Sequence, residues 1–151
     1  MRATSNSDLA AVSDVLGVCV GNDRDVDEVV DAALPAMPDG AVIVVHSTVH
    51  PDTCRAIGNR AALRGVSCLD APVSGGRQRA YDGRLTVIVG GDAATFDGCR
   101  PVFDTFGDLV LHVGPLGAGQ TLKLVNNYLF AAQLDVAGHA VELIDSLGLY
   151  V

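Results

Sequence analysis

One lysine stands among nine arginines in this chain, Lys123 in the stretch "GQTLKLVNN". Wherever a generic positive charge would serve, the sequence uses arginine, which cannot give up its proton, whereas a desolvated lysine can. Asn127 follows four residues later and Asn126 three, so on a helix Asn127 shares the Lys123 face and Asn126 its flank. Asparagine is a poor helix former in an apolar run and needs a polar partner there. A lysine with an asparagine one turn away suits proton transfer at a hydroxyl, the amide holding the same oxygen. The plain reading of Lys123 is a solvated surface residue.

A second stretch, "DAPVSGG", ends an apolar run on Ser74, Gly75 and Gly76. Adjacent glycines leave backbone N–H groups without side-chain cover, so a carboxylate or phosphate can approach closely. A wide turn between two strands is the bland reading of the same residues. Arg77 and Arg79 follow, either as solvated charges or facing an anion.

The remaining chemistry-bearing residues show no comparable pattern. His46, His50, His112 and His139 lack ligand spacing, and Cys19, Cys54, Cys68 and Cys99 are scattered without a C-x-x-C pair. Neither a metal site nor a disulfide framework is expected; the cysteines read as small buried hydrophobes in a reducing cytoplasm. A net charge of −8 argues against nucleic acid or an anionic membrane as partner. No apolar run is long enough to span a bilayer, and the first residues hold no signal-peptide core.

The elements that must position these residues alternate in type. Short apolar runs, "VLGVCV", "AVIVV", "VSCLDAPV", "LTVIVGG" and "LVLHV", read as buried strands. Between them, helices are expected over "DRDVDEVVDAALPAM", from Pro51 to about Arg64, and over "DAATFDGCRPVFDTF", with a long helix from about Ala118 to the end. Strands alternating with amphipathic helices predict an α/β fold with a mainly parallel sheet covered on both faces. "LTVIVGG" returns too soon for a crossover and should run antiparallel to a neighbour. Ligands of such folds sit beyond the carboxyl ends of the strands. The ends at Val20 to Asn22, His46 to Thr48, Pro72 to Gly76 and Gly114 to Gly119 should share one edge, with Lys123 facing Ser74 across a cleft.

Taken in order, "DAPVSGG…A..G.LTVIVGG" and "G.GQTLKLVNN" strongly resemble the β-hydroxyacid dehydrogenases, the family of 3-hydroxyisobutyrate, tartronate semialdehyde and 6-phosphogluconate dehydrogenases. The likeness runs along essentially the whole chain. It implies a Rossmann-like sheet, NAD or NADP as cofactor, a small anionic hydroxyacid as substrate, and a cytoplasmic homo-oligomer. It also implies residue roles: Ser74, Gly75 and Gly76 hold the substrate carboxylate, Lys123 is the general acid/base, and Asn127 orients the substrate hydroxyl. Thr48 matches the threonine beside the nicotinamide, Val20 and Gly21 the Leu-Pro backing the cofactor, and Asp25 a position that can touch its ribose.

The resemblance further implies a partial dinucleotide-binding domain over 1–116 and an interdomain helix over 117–151 leading towards an all-helical domain. The family begins with a strand and a G-x-G-x-x-G turn that binds the pyrophosphate, and neither is in this sequence. A fragment of an NAD(P)-dependent dehydrogenase is therefore expected, binding dinucleotide weakly by itself. The family also commonly has glycine where Arg79 stands and an acid where Val45 stands. Rival readings are a non-catalytic Rossmann-like module kept for binding or assembly, and an imine- or keto-acid-reducing relative, which would want a different acid in place of Lys123.

Overall fold

The apolar runs become six strands in the computed structural model, which describes residues 5–149. The outer ends of the two expected units, 1–4 and 150–151, lie outside these. The order is α1 (Asn6–Ala10), β1 (Val15–Val18), α2 (Asp23–Ala33), β2 (Val42–Val45), α3 (Pro51–Ala62), β3 (Ser67–Asp70), β4 (Val73–Ser74), α4 (Gly76–Tyr81), β5 (Leu85–Gly90), α5 (Ala93–Phe103), β6 (Gly107–Gly114) and α6 (Ala118–Ser146). A short 3-10 turn, Leu34–Ala36, prolongs α2.

β1, β2 and β3 pair in parallel, with Val18 beside Val45 and Val45 beside Asp70. β5 runs antiparallel to both β3 and β4, Gly90 against Asp70 and Val87 against Val73, and β6 runs parallel to β5. The early return of "LTVIVGG" thus makes the antiparallel strand expected of it. The sheet is mainly parallel and Rossmann-like, with core on both faces at β2; β6, expected as a buried strand, instead lies at the edge beyond β5 with Leu109 and Leu111 exposed. Along β2, Ile43 and Val45 join a core with Val26, Val30, Cys54 and Ile57 from α2 and α3. Val44 points the other way, into a core with Phe96, Cys99 and Phe103 from α5. This is the alternation a strand buried on both faces requires.

Helix starts follow side-chain chemistry. Asn22 Oδ1 accepts from the Asp25 N–H at the start of α2, Asp92 Oδ1 from the Thr95 N–H at α5, and α3 opens on Pro51. Arg60 on α3 clamps α2 through Asp27 and Asp31, each at 2.6 Å.

Four further expectations need correction. "VSCLDAPV" is two strands, because Pro72 has no N–H to continue the ladder, although its carbonyl still accepts from the Ile88 N–H at 3.0 Å. Residues 76–81 form a helix rather than a loop, since positive φ at Gly75 and Gly76 turns the chain straight from β4 into α4. The long helix stops at Ser146: Gly148, at φ 69°, ends it with N–H bonds from Gly148 to Asp145 and from Leu149 to Ile144. Cys19 is exposed, lying just past the end of the edge strand β1, whereas Cys54 and Cys99 are buried as expected. No described helix is long and apolar enough to cross a membrane, and the described residues hold no metal-binding cluster.

His46, which follows β2, predicts a pH dependence of stability. Its Nδ1–H donates to the Ala71 carbonyl at 2.8 Å, and its ring meets Phe106 and Phe103 edge-on. Burial lowers its pKa below the ordinary 6.5, so the folded protein holds the ring neutral. The unfolded chain binds the proton first. The neutral ring's contribution is therefore complete above pH 6.5 and is lost as pH falls from there through the folded pKa. The expected slope is at most about 1.4 kcal/mol per pH unit. Urea melts of His46→Gln should show less loss across that window than the parent; equal slopes would assign the dependence to other groups.

Candidate active site

The start of α6 is fixed by one buried carboxylate. Asp70, fully buried at the end of β3, accepts from the Gly117 N–H at Oδ1 and the Gln120 N–H at Oδ2, both at 2.6 Å. These are N–H groups that a helix start leaves without internal partners. Burial pushes the Asp70 carboxyl above its ordinary value, and the two N–H donors pull the other way. Gly119 permits the close approach, since a Cβ there would collide with the Ile88 carbonyl and with Asp70.

Gln120 extends the connection to β1 and β2. Fully buried, it donates from Nε2 to the Ser47 carbonyl at 2.7 Å and accepts the Val49 N–H at Oε1. The Ser47 hydroxyl in turn accepts the Val20 N–H at 2.7 Å. A continuous set of polar contacts runs from the end of β1 through Ser47 and Gln120 to the α6 start. These residues were not singled out from the sequence. The only available signals were an acid inside the apolar run "SCLDAPV" and a polar residue between Gly119 and Thr121.

One turn beyond Gln120, Lys123 is only 8% exposed, the third and last buried residue of α6 after Gly119 and Gln120. Desolvation lowers its pKa below the ordinary 10.5, and among the described residues it has no hydrogen bond or ion pair. It lines a cleft of about 840 Å³ with Asn126 and Asn127 on the α6 wall. Ser74, Gly75, Gly76 and Arg77 line the facing wall, at the turn from β4 into α4. The structure thus brings Lys123, Asn127, Ser74, Gly75 and Gly76 into one cavity. The side chains of Ser74, Asn126 and Asn127 also make no protein hydrogen bond, leaving their donors and acceptors available. Arg79 does not line the cleft; it points to Asp108 on β6, 3.6 Å away.

The other four expected residues lie outside this cleft: Val20, Gly21 and Thr48 follow the carboxyl ends of β1 and β2, and Asp25 stands in the first turn of α2. Val20 is 37% exposed and borders a separate cavity of about 200 Å³. Gly21 and Thr48 are exposed. Asp25 accepts from Asn22 Nδ2 at 3.0 Å, so its carboxylate is engaged with the cap of α2.

The NAD binding domain of 6-phosphogluconate dehydrogenase matches residues 1–114. The chain belongs to this family. It is 41% identical over 113 residues to the NAD-dependent L-serine dehydrogenase of Pseudomonas aeruginosa, covering 75% of this chain and 38% of that one. It is 36% identical over 142 residues to the 2-(hydroxymethyl)glutarate dehydrogenase of Eubacterium barkeri, covering 92% and 47%. The solved 3-hydroxyisobutyrate dehydrogenase of Mycobacterium tuberculosis with L-serine superposes with a TM-score of 0.94 at 31% identity, covering 99% of this chain and 51% of that one. The chain spans about half the length of the curated relatives it matches.

The Asp70 contacts predict a measurable cost. Asp70→Asn keeps one acceptor but turns an N–H₂ group towards a backbone N–H. Urea denaturation should show a loss of about 2 kcal/mol, the scale of a hydrogen bond to a charged group. An unchanged midpoint would mean that α6 is held by its apolar contacts alone.

Proposed function

We propose that this chain carries the hydride-transfer site of an NAD(P)-dependent dehydrogenase acting on a small β-hydroxyacid. The observation that carries the reading is a desolvated, unpartnered lysine in one cleft with Ser74 and the Gly75–Gly76 backbone. A proton acceptor and an anion cradle within one cavity are what oxidation of a hydroxyacid needs from a protein.

In this reading the Ser74 hydroxyl and the Gly75 and Gly76 N–H groups hold the substrate carboxylate. Positive φ at both glycines, 134° and 69°, gives a backbone course that L side chains rarely adopt. Asn127 holds the hydroxyl, and Lys123, whose proton desolvation makes easier to lose, takes the hydroxyl proton in its deprotonated form. In the reverse direction Lys123 returns it. Val20, Gly21 and Thr48 fit a dinucleotide: an exposed apolar residue, bare backbone and an unpartnered hydroxyl stand at the carboxyl ends of adjacent parallel strands. When bound, the nicotinamide accepts the hydride from the same carbon. Both NAD and NADP are compatible with these residues. A module kept for assembly alone would have no use for a lysine held out of water.

The named relatives act on L-serine and on 2-(hydroxymethyl)glutarate, acids with one carboxylate and with two. Their names leave the second charge open. We further propose that α6 joins this domain to further protein, and that the protein self-associates. Leu122, Val125, Leu129 and Phe130 are all well exposed on α6.

Lys123→Arg should fold normally and lose turnover by about 10²- to 10⁴-fold in NAD(P)-linked oxidation of 3-hydroxyisobutyrate, because a guanidinium cannot accept the proton. In the parent, oxidation should rise with pH through a limb below 10.5, where Lys123 deprotonates, and the variant should lack that limb. Near-normal turnover in Lys123→Arg would remove the lysine from proton transfer.

A further inference from the structure

The cleft and the chain carry opposite charge. The sequence holds 18 acidic residues against 10 lysines and arginines, yet among the described residues no aspartate or glutamate lines the cleft, and the ionic residues that do are Lys123 and Arg77. The described arginines are otherwise committed. Arg24, Arg55, Arg60, Arg79, Arg84 and Arg100 each pair with a carboxylate, and Arg64 donates to the Pro35 carbonyl. Arg77 has neither kind of partner. Its Cζ stands 5.4 Å from the centre of the Tyr81 ring, and Nη2 reaches the Tyr81 hydroxyl at 3.4 Å. Tyr81, one turn along α4, thus braces the guanidinium without neutralising it.

We propose that Arg77 is a specificity-determining residue that reads a second anionic group on the substrate, so that the site takes a β-hydroxyacid bearing two carboxylates. The inference rests on the proposed function and narrows its substrate class. Ser74 with the Gly75 and Gly76 amides provides for one carboxylate. Arg77, beginning the wall directly after Gly76, is left with donors in a planar fork that matches a second carboxylate. A substrate with a single carboxylate leaves Arg77 without an anionic partner in a cleft that no described acid lines. Selection between the two classes then comes from whether the guanidinium is paired.

The test is a chemical-shift titration of the full chain at pH 7, following the Gly75 and Gly76 amides. The probes are 3-hydroxyisobutyrate and 2-(hydroxymethyl)succinate, which share the hydroxymethyl and carboxylate end and differ by one added carboxylate. The dicarboxylate should bind about tenfold more tightly, the scale of one hydrogen-bonded charge pair. Arg77→Gln should bring that ratio close to one. Arg24→Gln, which removes an equal charge from an exposed pair with Glu28, should leave the ratio in place. Equal binding by the parent, retention of the preference in Arg77→Gln, or its loss in Arg24→Gln would each overturn the assignment of Arg77 and leave the proposed function standing. If neither acid shifts the two amides, both readings fall together.

Discussion

The position of Lys123 depends on a carboxylate more than on the helix that carries it. Asp70 ends β3, where the parallel strands meet the antiparallel β5, and its two oxygens hold free N–H groups at the start of α6. A helix beginning elsewhere on the sheet, or one residue out of register, would turn Lys123 about 100° away from the cleft. Gly119 and Gly90 supply the clearance, because a side chain at either would strike Asp70. An acid and two glycines distant in sequence therefore act as one joint.

That joint uses a costly group. A buried carboxylate loses hydration, and hydrogen bonds to N–H groups at a positive helix end compensate for it. Lys123 lies one turn further on and is also kept from water, but without a partner. The two residues divide the labour: the paired charge fixes geometry, and the unpaired one keeps its proton loosely. Gln120 lies between them and ties the helix to β2 through Ser47 and Val49. The ends of β1 and β2 are thereby coupled mechanically to the cleft wall.

Much of the fold was legible in the sequence because the local signals agree with one another. The apolar runs, the caps at Asn22 and Asp92, and Pro51 at a helix start mark their elements by short-range chemistry that any context would respect. The Lys123, Asn126 and Asn127 face followed from helical spacing, and the openness of Ser74 to Gly76 from the bare backbone of two glycines. The β4 to α4 turn was missed because the same glycines signal a loop as well as a tight turn. The family likeness joined the two motifs by their order in the chain, which spacing alone could not do.

By itself, then, the sequence determined most of the element types and the mainly parallel sheet, and it singled out candidate residues for moving a proton or holding an anion. The signals for each, apolar runs, caps and helical spacing, lie within a few positions along the chain. Only the tertiary structure decided which polar residues are joints and which are free. Asp70, Ser47 and Gln120 gain their roles from partners 27 to 73 positions away. Arg77 and Arg79 are two residues apart and chemically alike. They separate because one meets Asp108 on a neighbouring strand and the other meets a cleft wall without an acid. Such pairings are set by how the sheet is assembled, and no local pattern encodes them.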